Sequence, residues 1–456
     1  MNATRLTFAM LTLVVASTGA CADDSTIDPP AHAGVGGDGT RAGGGDGGLP
    51  ESAASPSSST STRADGGATT DGATSSPDAT SPVTTGKDGG PSQGSPPLVP
   101  PTCVDTSKLP AWRKTMAVGE WRELASADLA SVVPTTQPGG YYSARIDAWN
   151  GFAADTVNGK LYLGGAGGHA DYAGNEVYSI DLNAAAPSWV LEAQPTPSSS
   201  YTIDKPLYLD GRPSPTHTYY TLWFIEGRQK LFRFGGGATW GSGNGSTDHI
   251  ESWNPATKDW DVDGTNPRLP APTYEQPTTK HPYSGDVYQI GSDNHLRRWS
   301  QASGTVSDLG DAQAGTGSFY DFYKSPSVID PVGERLFLLS DGSASAGSVR
   351  VYDIKKATWS VVALSGGQAA AVAARESQAM GYYDTCAKKM FVKTTTGAEV
   401  LVLDPTNMAT TTLATSGASV VDAVNGVHTL FQSLPSLGGY AYQPRHSAKL
   451  YFLATQ

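Results

Sequence analysis

From about residue 105 onward the apolar positions form short apolar-aromatic runs, each following a tight polar turn. The clearest stretch is Leu161-Tyr-Leu-Gly-Gly-Ala-Gly-Gly-His-Ala-Asp-Tyr-Ala-Gly-Asn-Glu-Val-Tyr-Ser-Ile-Asp-Leu182. It reads as an apolar strand, a glycine-rich turn carrying His169 and Asp171, a second strand, and an Asp-headed turn toward Trp189. Its opening pattern returns as Asn158-Gly-Lys-Leu161-Tyr, Arg228-Gln-Lys-Leu231-Phe, Ser284-Gly-Asp-Val287-Tyr, Gly333-Glu-Arg-Leu336-Phe, Ala387-Lys-Lys-Met390-Phe and Ser447-Ala-Lys-Leu450-Tyr. Six copies at intervals of 49 to 70 residues mark a repeat architecture.

A second pattern follows, in which a strand ends in a turn leading to a Trp-like position. Trp253-Asn-Pro-Ala-Thr-Lys-Asp-Trp260 and Tyr352-Asp-Ile-Lys-Lys-Ala-Thr-Trp359 show it best, with looser forms at 299–306 and 403–410. Asp or Asn in such turns supplies side-chain oxygens to nearby backbone N–H groups. Short candidate strands also precede the first pattern, at 147–154, 217–225 and 377–383. Each unit then holds about four strands, the make-up of a propeller blade. The last copy stops at Gln456 after its second strand, and the segment 114–125, with Gly119-Glu-Trp-Arg-Glu-Leu124, offers the missing outer strand. The pattern predicts an all-β, six-bladed propeller over 105–456, its last blade closed by strands from both ends of the domain. A seventh blade stays open because the spans 161–231 and 415–436 are irregular.

The N-terminal part differs in kind. Arg5, the apolar run Leu6–Ala16 and the small residues ending at Cys21 read as an export signal over 1–21, too short to span a bilayer as a permanent helix. Gly19-Ala20-Cys21 resembles a lipobox, which implies lipidation at Cys21 and a membrane anchor through that lipid; cleavage after Ala22 would instead release a soluble secreted protein. Residues 22–104 are dominated by Gly, Ser, Thr, Pro, Ala and Asp, with no aromatic residue, and read as a disordered tether. Residues 22–100 carry ten acidic and three basic side chains, so over half of the net charge of −12 belongs to the tether. No basic stripe remains to displace counterions from phosphates, which argues against nucleic-acid binding. With Cys21 in the signal region, Cys103 and Cys386 are left as a pair in an oxidising compartment and are expected to form a disulfide.

The diglycines Gly164-Gly165 and Gly235-Gly236, with Tyr178 and Trp189 and then Trp253 and Trp260, resemble the kelch-repeat propellers that include the central domain of galactose oxidase. Gly167–Glu176 and Asp210-Gly-Arg-Pro213 are similar to segments of exported bacterial kelch-like proteins. The resemblance covers the whole repeat region, and the later four units lack the diglycine. It implies the fold; it names no activity.

In such a blade the second-to-third strand loops and the connections between blades open on one face, which commonly carries a binding funnel. That face would gather Arg145, Asp147, Trp149, Arg212, His217, Tyr219, His281, Lys324, Arg375 and Glu376 from the connections. The glycine-rich loops would add His169, Asp171, Tyr172, Trp240 and His249. Aromatics with carboxylates, imidazoles and guanidinium groups suit a sugar or another polar ligand. The bland readings are that the glycines serve backbone geometry, His169 and Asp171 form a structural hydrogen-bonded pair, Asp147 ties neighbouring blades and Arg212 holds a turn. Copper radical chemistry would need a cysteine linked to a ligand tyrosine, and Cys103 and Cys386 are poor candidates. No Gly-x-Ser-x-Gly elbow is predicted, since the run Gly90-Pro-Ser-Gln-Gly94 lies in the tether rather than between a strand and a helix, and His-Glu-x-x-His does not occur.

Two functions follow. One is a tethered surface module, monomeric and without metal or cofactor, that binds a glycan or an exported protein partner. The other is an exported carbohydrate-active enzyme of oxidase, mutarotase or lyase type, using His169, Asp171, His217 and Arg212.

Overall fold

The computed structural model describes residues 103–456 apart from 137, 242–244, 313–322, 341–346 and 375–377. Six antiparallel sheets form the six blades of a β-propeller, accompanied among the described residues by three four-residue helices, Ala111–Lys114, Ala144–Asp147 and Ala369–Val372. From the inside outward, blade 1 comprises Ala153–Asp155, Lys160–Gly164, Val177–Asp181 and Trp189–Ala193. The innermost strands of blades 2 to 6 are Leu222–Ile225, Thr278–Lys280, Ser327–Asp330, Met380–Asp384 and Phe431–Leu434. Each overlaps or closely follows the predicted run where one was named. The irregular span 161–231 adds no blade: between 194 and 221 it has the local pairing Leu207↔Pro213 and no further sheet.

Ring closure is as the truncated last repeat implied. Glu120–Leu124 pairs antiparallel with Leu450–Ala454 as the fourth strand of blade 6, with Trp121 opposite Leu453 and Leu124 opposite Leu450. Trp121 and Leu124 are buried, so the seam is sealed by apolar contact as well as by the ladder. Buried Arg113 adds to it by donating to the carbonyls of Leu437, Gly438 and Gln456. The expected disulfide joins Cys103 to Cys386, with Cα atoms 5.5 Å apart.

The turns between first and second strands share one device. Asp155 accepts from the N–H groups of Val157 and Asn158, Asp330 from Val332 and Gly333, and Asp384 from Cys386 and Ala387. In blade 3 the same pair of bonds, from Tyr283 and Ser284, ends on Nδ1 of His281. An imidazole nitrogen has taken the place of a carboxylate oxygen. All these turns lie at one end of the propeller, the turn end. The connections between blades and the second-to-third strand loops lie at the other, the funnel end.

Candidate functional site

The glycine-rich loop of blade 1 is fastened before it presents any side chain. The Gly167 N–H donates to Thr216 O, that of His169 to Ala238 O, and that of Gly241 to His169 O. At Gly168, φ is +84° and a Cβ would lie 2.2 Å from Ala238 O, so this close approach requires glycine. Asn175 bonds both ways with Thr196 and also donates to Pro213 O, while Thr196 donates to Asp210. The Gly-Asn-Glu and Asp-Gly-Arg-Pro segments are therefore two halves of one structural clamp.

Held this way, the loop brings Asp171 to His217 on the blade 1–2 connection. Nε2 of His217 is 2.9 Å from Asp171 Oδ2, and its Nδ1 is 3.1 Å from the Tyr219 hydroxyl. Burial pulls the His217 imidazole below its ordinary range, against the opposing pull of Asp171, and pushes the Tyr219 phenol far up. Neutral His217 then donates through Nε2 to Asp171 and accepts from Tyr219 through Nδ1. Both its nitrogens are engaged and its side chain is 5% exposed, whereas Asp171 is 35% exposed and His169 38%. The groups offered outward are Asp171 and His169; His217 positions the carboxylate. Trp149, half-buried, packs its ring 5.0 Å from that of His217.

The funnel mouth repeats one backbone position blade by blade. Trp149, Tyr219, Lys324, Gln378 and His428 each stand just ahead of an innermost strand with φ between +42° and +64°. Glu275 occupies the place in blade 3. Left-handed backbone costs a side-chain-bearing residue about 1 kcal/mol relative to glycine, yet no glycine stands at any of these five left-handed positions. Backbone bonds link these positions: Tyr219 N–H to Trp149 O, Lys324 N–H to Glu275 O, Gln378 N–H to Lys324 O. Among them, fully buried His428 and half-buried Gln378 both bond Glu275 Oε1, at 2.8 and 3.0 Å. Rings continue around the mouth from His217 to Tyr219 (5.6 Å), Tyr274 (5.4 Å) and Tyr323 (6.2 Å), and the Lys324 ammonium lies over Tyr323. Tyr274, Tyr323, Glu275, Gln378 and His428 were not singled out by sequence. Aligning the six copies on their innermost strands, rather than on the stronger second strands, brings them out.

Other predicted residues lie elsewhere. Tyr172 is fully buried and donates to Glu176 Oε1, which also accepts from Tyr178, itself bonded by Arg145. Burial raises the Glu176 carboxyl and both phenols. Asp147 accepts from the His446 N–H, tying blade 1 to blade 6, and burial raises its carboxyl. Arg212 pairs with Asp259 on the outer rim between blades 1 and 2, at 3.1 Å. His249 sits between Asp248 and Asp263 in the third strand of blade 2. Trp240 is half-buried and its amide donates to Pro215 O, next to the His169 loop. The expectation of one shared face fails for His281, whose turn is at the opposite end; the three-residue strand before it, two threonines and a lysine, gave no apolar signal to set the phase. Arg375, Glu376 and Cys21 lie outside the described residues.

A partly open cavity of about 60 Å³ lies along the axis at the turn end, walled by Trp223, Tyr382, Ile329 and Gln432, and none of the candidate residues lines it. Among the described residues no three His, Cys, Asp or Glu side chains are grouped to hold a metal ion. The disulfide leaves neither cysteine for a link to a tyrosine. No helix among the described residues is long and apolar enough to cross a membrane, which leaves strand-built spans unaddressed. No family model matches the chain, and no curated protein matches its sequence.

Proposed function

We propose that the funnel end binds a glycan. The observation that carries this reading is the run of half-buried rings around the mouth, Trp149, Tyr274 and Tyr323, continuous with the outward-facing Asp171 and His169. Aromatic faces stack on the C–H faces of sugars, and a fixed carboxylate accepts from their hydroxyls. The fixed backbone of the mouth adds preorganisation, which lowers the entropy cost of binding. Within this proposal the chain is a divergent kelch-type propeller, exported by the 1–21 segment and held by Cys21 and the tether; the Cys103–Cys386 disulfide supports an oxidising compartment. An exported protein partner is the competing ligand. The enzymatic reading would have His217 transfer protons; its side chain is 5% exposed behind the more accessible Asp171, which favours binding instead.

A glycan array followed by calorimetry tests it. Trp149→Ala and Tyr274→Ala should each weaken the retained glycan by about tenfold, the share of a buried aromatic contact. An array that retains nothing, or variants with undiminished affinity, would overturn the proposal. Product released from the bound glycan, and lost in His217→Ala, would replace it with the enzymatic reading.

A further inference from the structure

The two ends of the aromatic run are chemically unlike. Asp171 and His169 stand at one, and at the other the Lys324 ammonium lies 5.1 Å from the Tyr323 ring centroid. No carboxylate among the described residues pairs with Lys324. By contrast, the part-buried Lys280, Lys230 and Lys449 are compensated by Glu226, Asp261 and Asp128. The root of Lys324 is also fixed. Its N–H donates to Glu275 O, and its carbonyl accepts from the Gln378 N–H and the Tyr220 hydroxyl. It keeps a four-carbon side chain at φ +64°, where glycine or asparagine would be less strained. A half-buried cation with no carboxylate partner among the described residues, rooted in strained but pinned backbone on the rim of an aromatic surface, is arranged to meet an anion.

We infer that the ligand is an acidic sugar chain, its ring faces on Trp149, Tyr274 and Tyr323, its carboxylate or sulfate at Lys324, and its hydroxyls at Asp171 and His169. This rests on the glycan reading above and goes further by assigning the charge. Asp171 and Lys324 at opposite ends would also fix the direction in which the chain lies, since an anionic substituent beside Asp171 is repelled.

The test uses three probes: an oligosaccharide of hexuronic acid residues, the same oligosaccharide after carboxyl reduction, and a sulfated neutral oligosaccharide. Binding of the full chain is measured by calorimetry at low and high salt. The acidic probe should bind about fivefold or more tighter than its reduced counterpart, with the gap narrowing at high salt. Preference for the hexuronate over the sulfated probe, or the reverse, separates carboxylate from sulfate as the natural anion. Lys324→Gln should remove the preference while leaving affinity for the reduced probe, and Lys324→Arg should keep it, with thermal melts confirming the fold. Equal binding of acidic and reduced probes, or a preference that survives Lys324→Gln, overturns this inference and leaves the glycan reading standing. Failure of all three probes also overturns this inference, while the glycan reading is decided separately by the array.

Discussion

The two ends of the propeller use similar residues for opposite purposes. At the turn end, Asp155, Asp330, Asp384 and His281 spend their acceptors on backbone N–H groups two and three residues ahead. Polar chemistry there is consumed by folding. At the funnel end some of it is consumed likewise, as Glu176 by Tyr172 and Tyr178, but Asp171, His169 and Lys324 keep part of their capacity facing outward. The strain is distributed unequally too. In the first-to-second strand turns the left-handed positions are Gly159, Gly285 and Gly438, exposed Gln229 and Lys388, and half-buried Glu334, whereas those just ahead of the innermost strands are Trp149, Tyr219, Lys324, Gln378 and His428. A residue type alone therefore says little about a site; what decides is whether its bonding capacity is already filled.

The sharpest way to separate the ends is to weaken one and read the other. Replacing Cys103 and Cys386 by serine opens a loop of 283 residues and should cost about 4 kcal/mol of stability, with glycan affinity unchanged below the melting transition. Loss of binding in the intact fold would show the ends to be coupled. Next in size is a contrast within the funnel end. Glu176→Ala strands two buried tyrosine hydroxyls and should cost about 3 kcal/mol in chemical denaturation. Asp171→Asn keeps an acceptor for His217, so it should cost under about 1 kcal/mol of stability while still weakening the ligand. A reversed order would mean that Asp171 belongs to the scaffold.

The smallest effect concerns His281. Burial pushes its imidazole down to about 4 in the folded chain, against an unfolded value near 6.5. The folded state thus binds this proton less readily. Its contribution is complete above pH 6.5 and is lost as the pH falls toward 4, because protonation also removes the Nδ1 acceptor from the turn. His281→Asn supplies a neutral acceptor, so melting temperatures of that variant should fall less between pH 6.5 and 4 than those of the natural chain. Part of the acid sensitivity should remain, since burial also lowers His446 to about 4. An unchanged acid profile would mean that His281 is not the group that titrates.

Much of this was legible in the sequence. The blade number followed from the turn and second strand, which repeat because each second strand is buried on both faces and needs an apolar run. The closing strand followed from a last repeat that was cut short, and the disulfide from simple pairing of what remained. The mouth was only half legible. Trp149, His217 and Tyr219 stood out, but Tyr274, Tyr323 and His428 follow connections of unequal length, where no periodicity marks position. Tyr172 looked available because it neighbours Asp171; its carboxylate partner, Glu176, sits four residues on and takes its hydroxyl inward. Sequence showed that these groups are near one another and not which way each one bonds.

The fastening of Cys103 has a mechanical consequence. Its covalent partner lies in the first-to-second strand turn of blade 5, while the closing strand Glu120–Leu124 belongs to blade 6. Tension applied to the chain upstream of residue 103 passes through the disulfide directly into blade 5, so the hydrogen bonds of the closing strand are not loaded and the ring does not unzip from its terminus. The load also enters at the turn end, and a molecule held from that side aligns with its funnel mouth pointing away from whatever pulls on it.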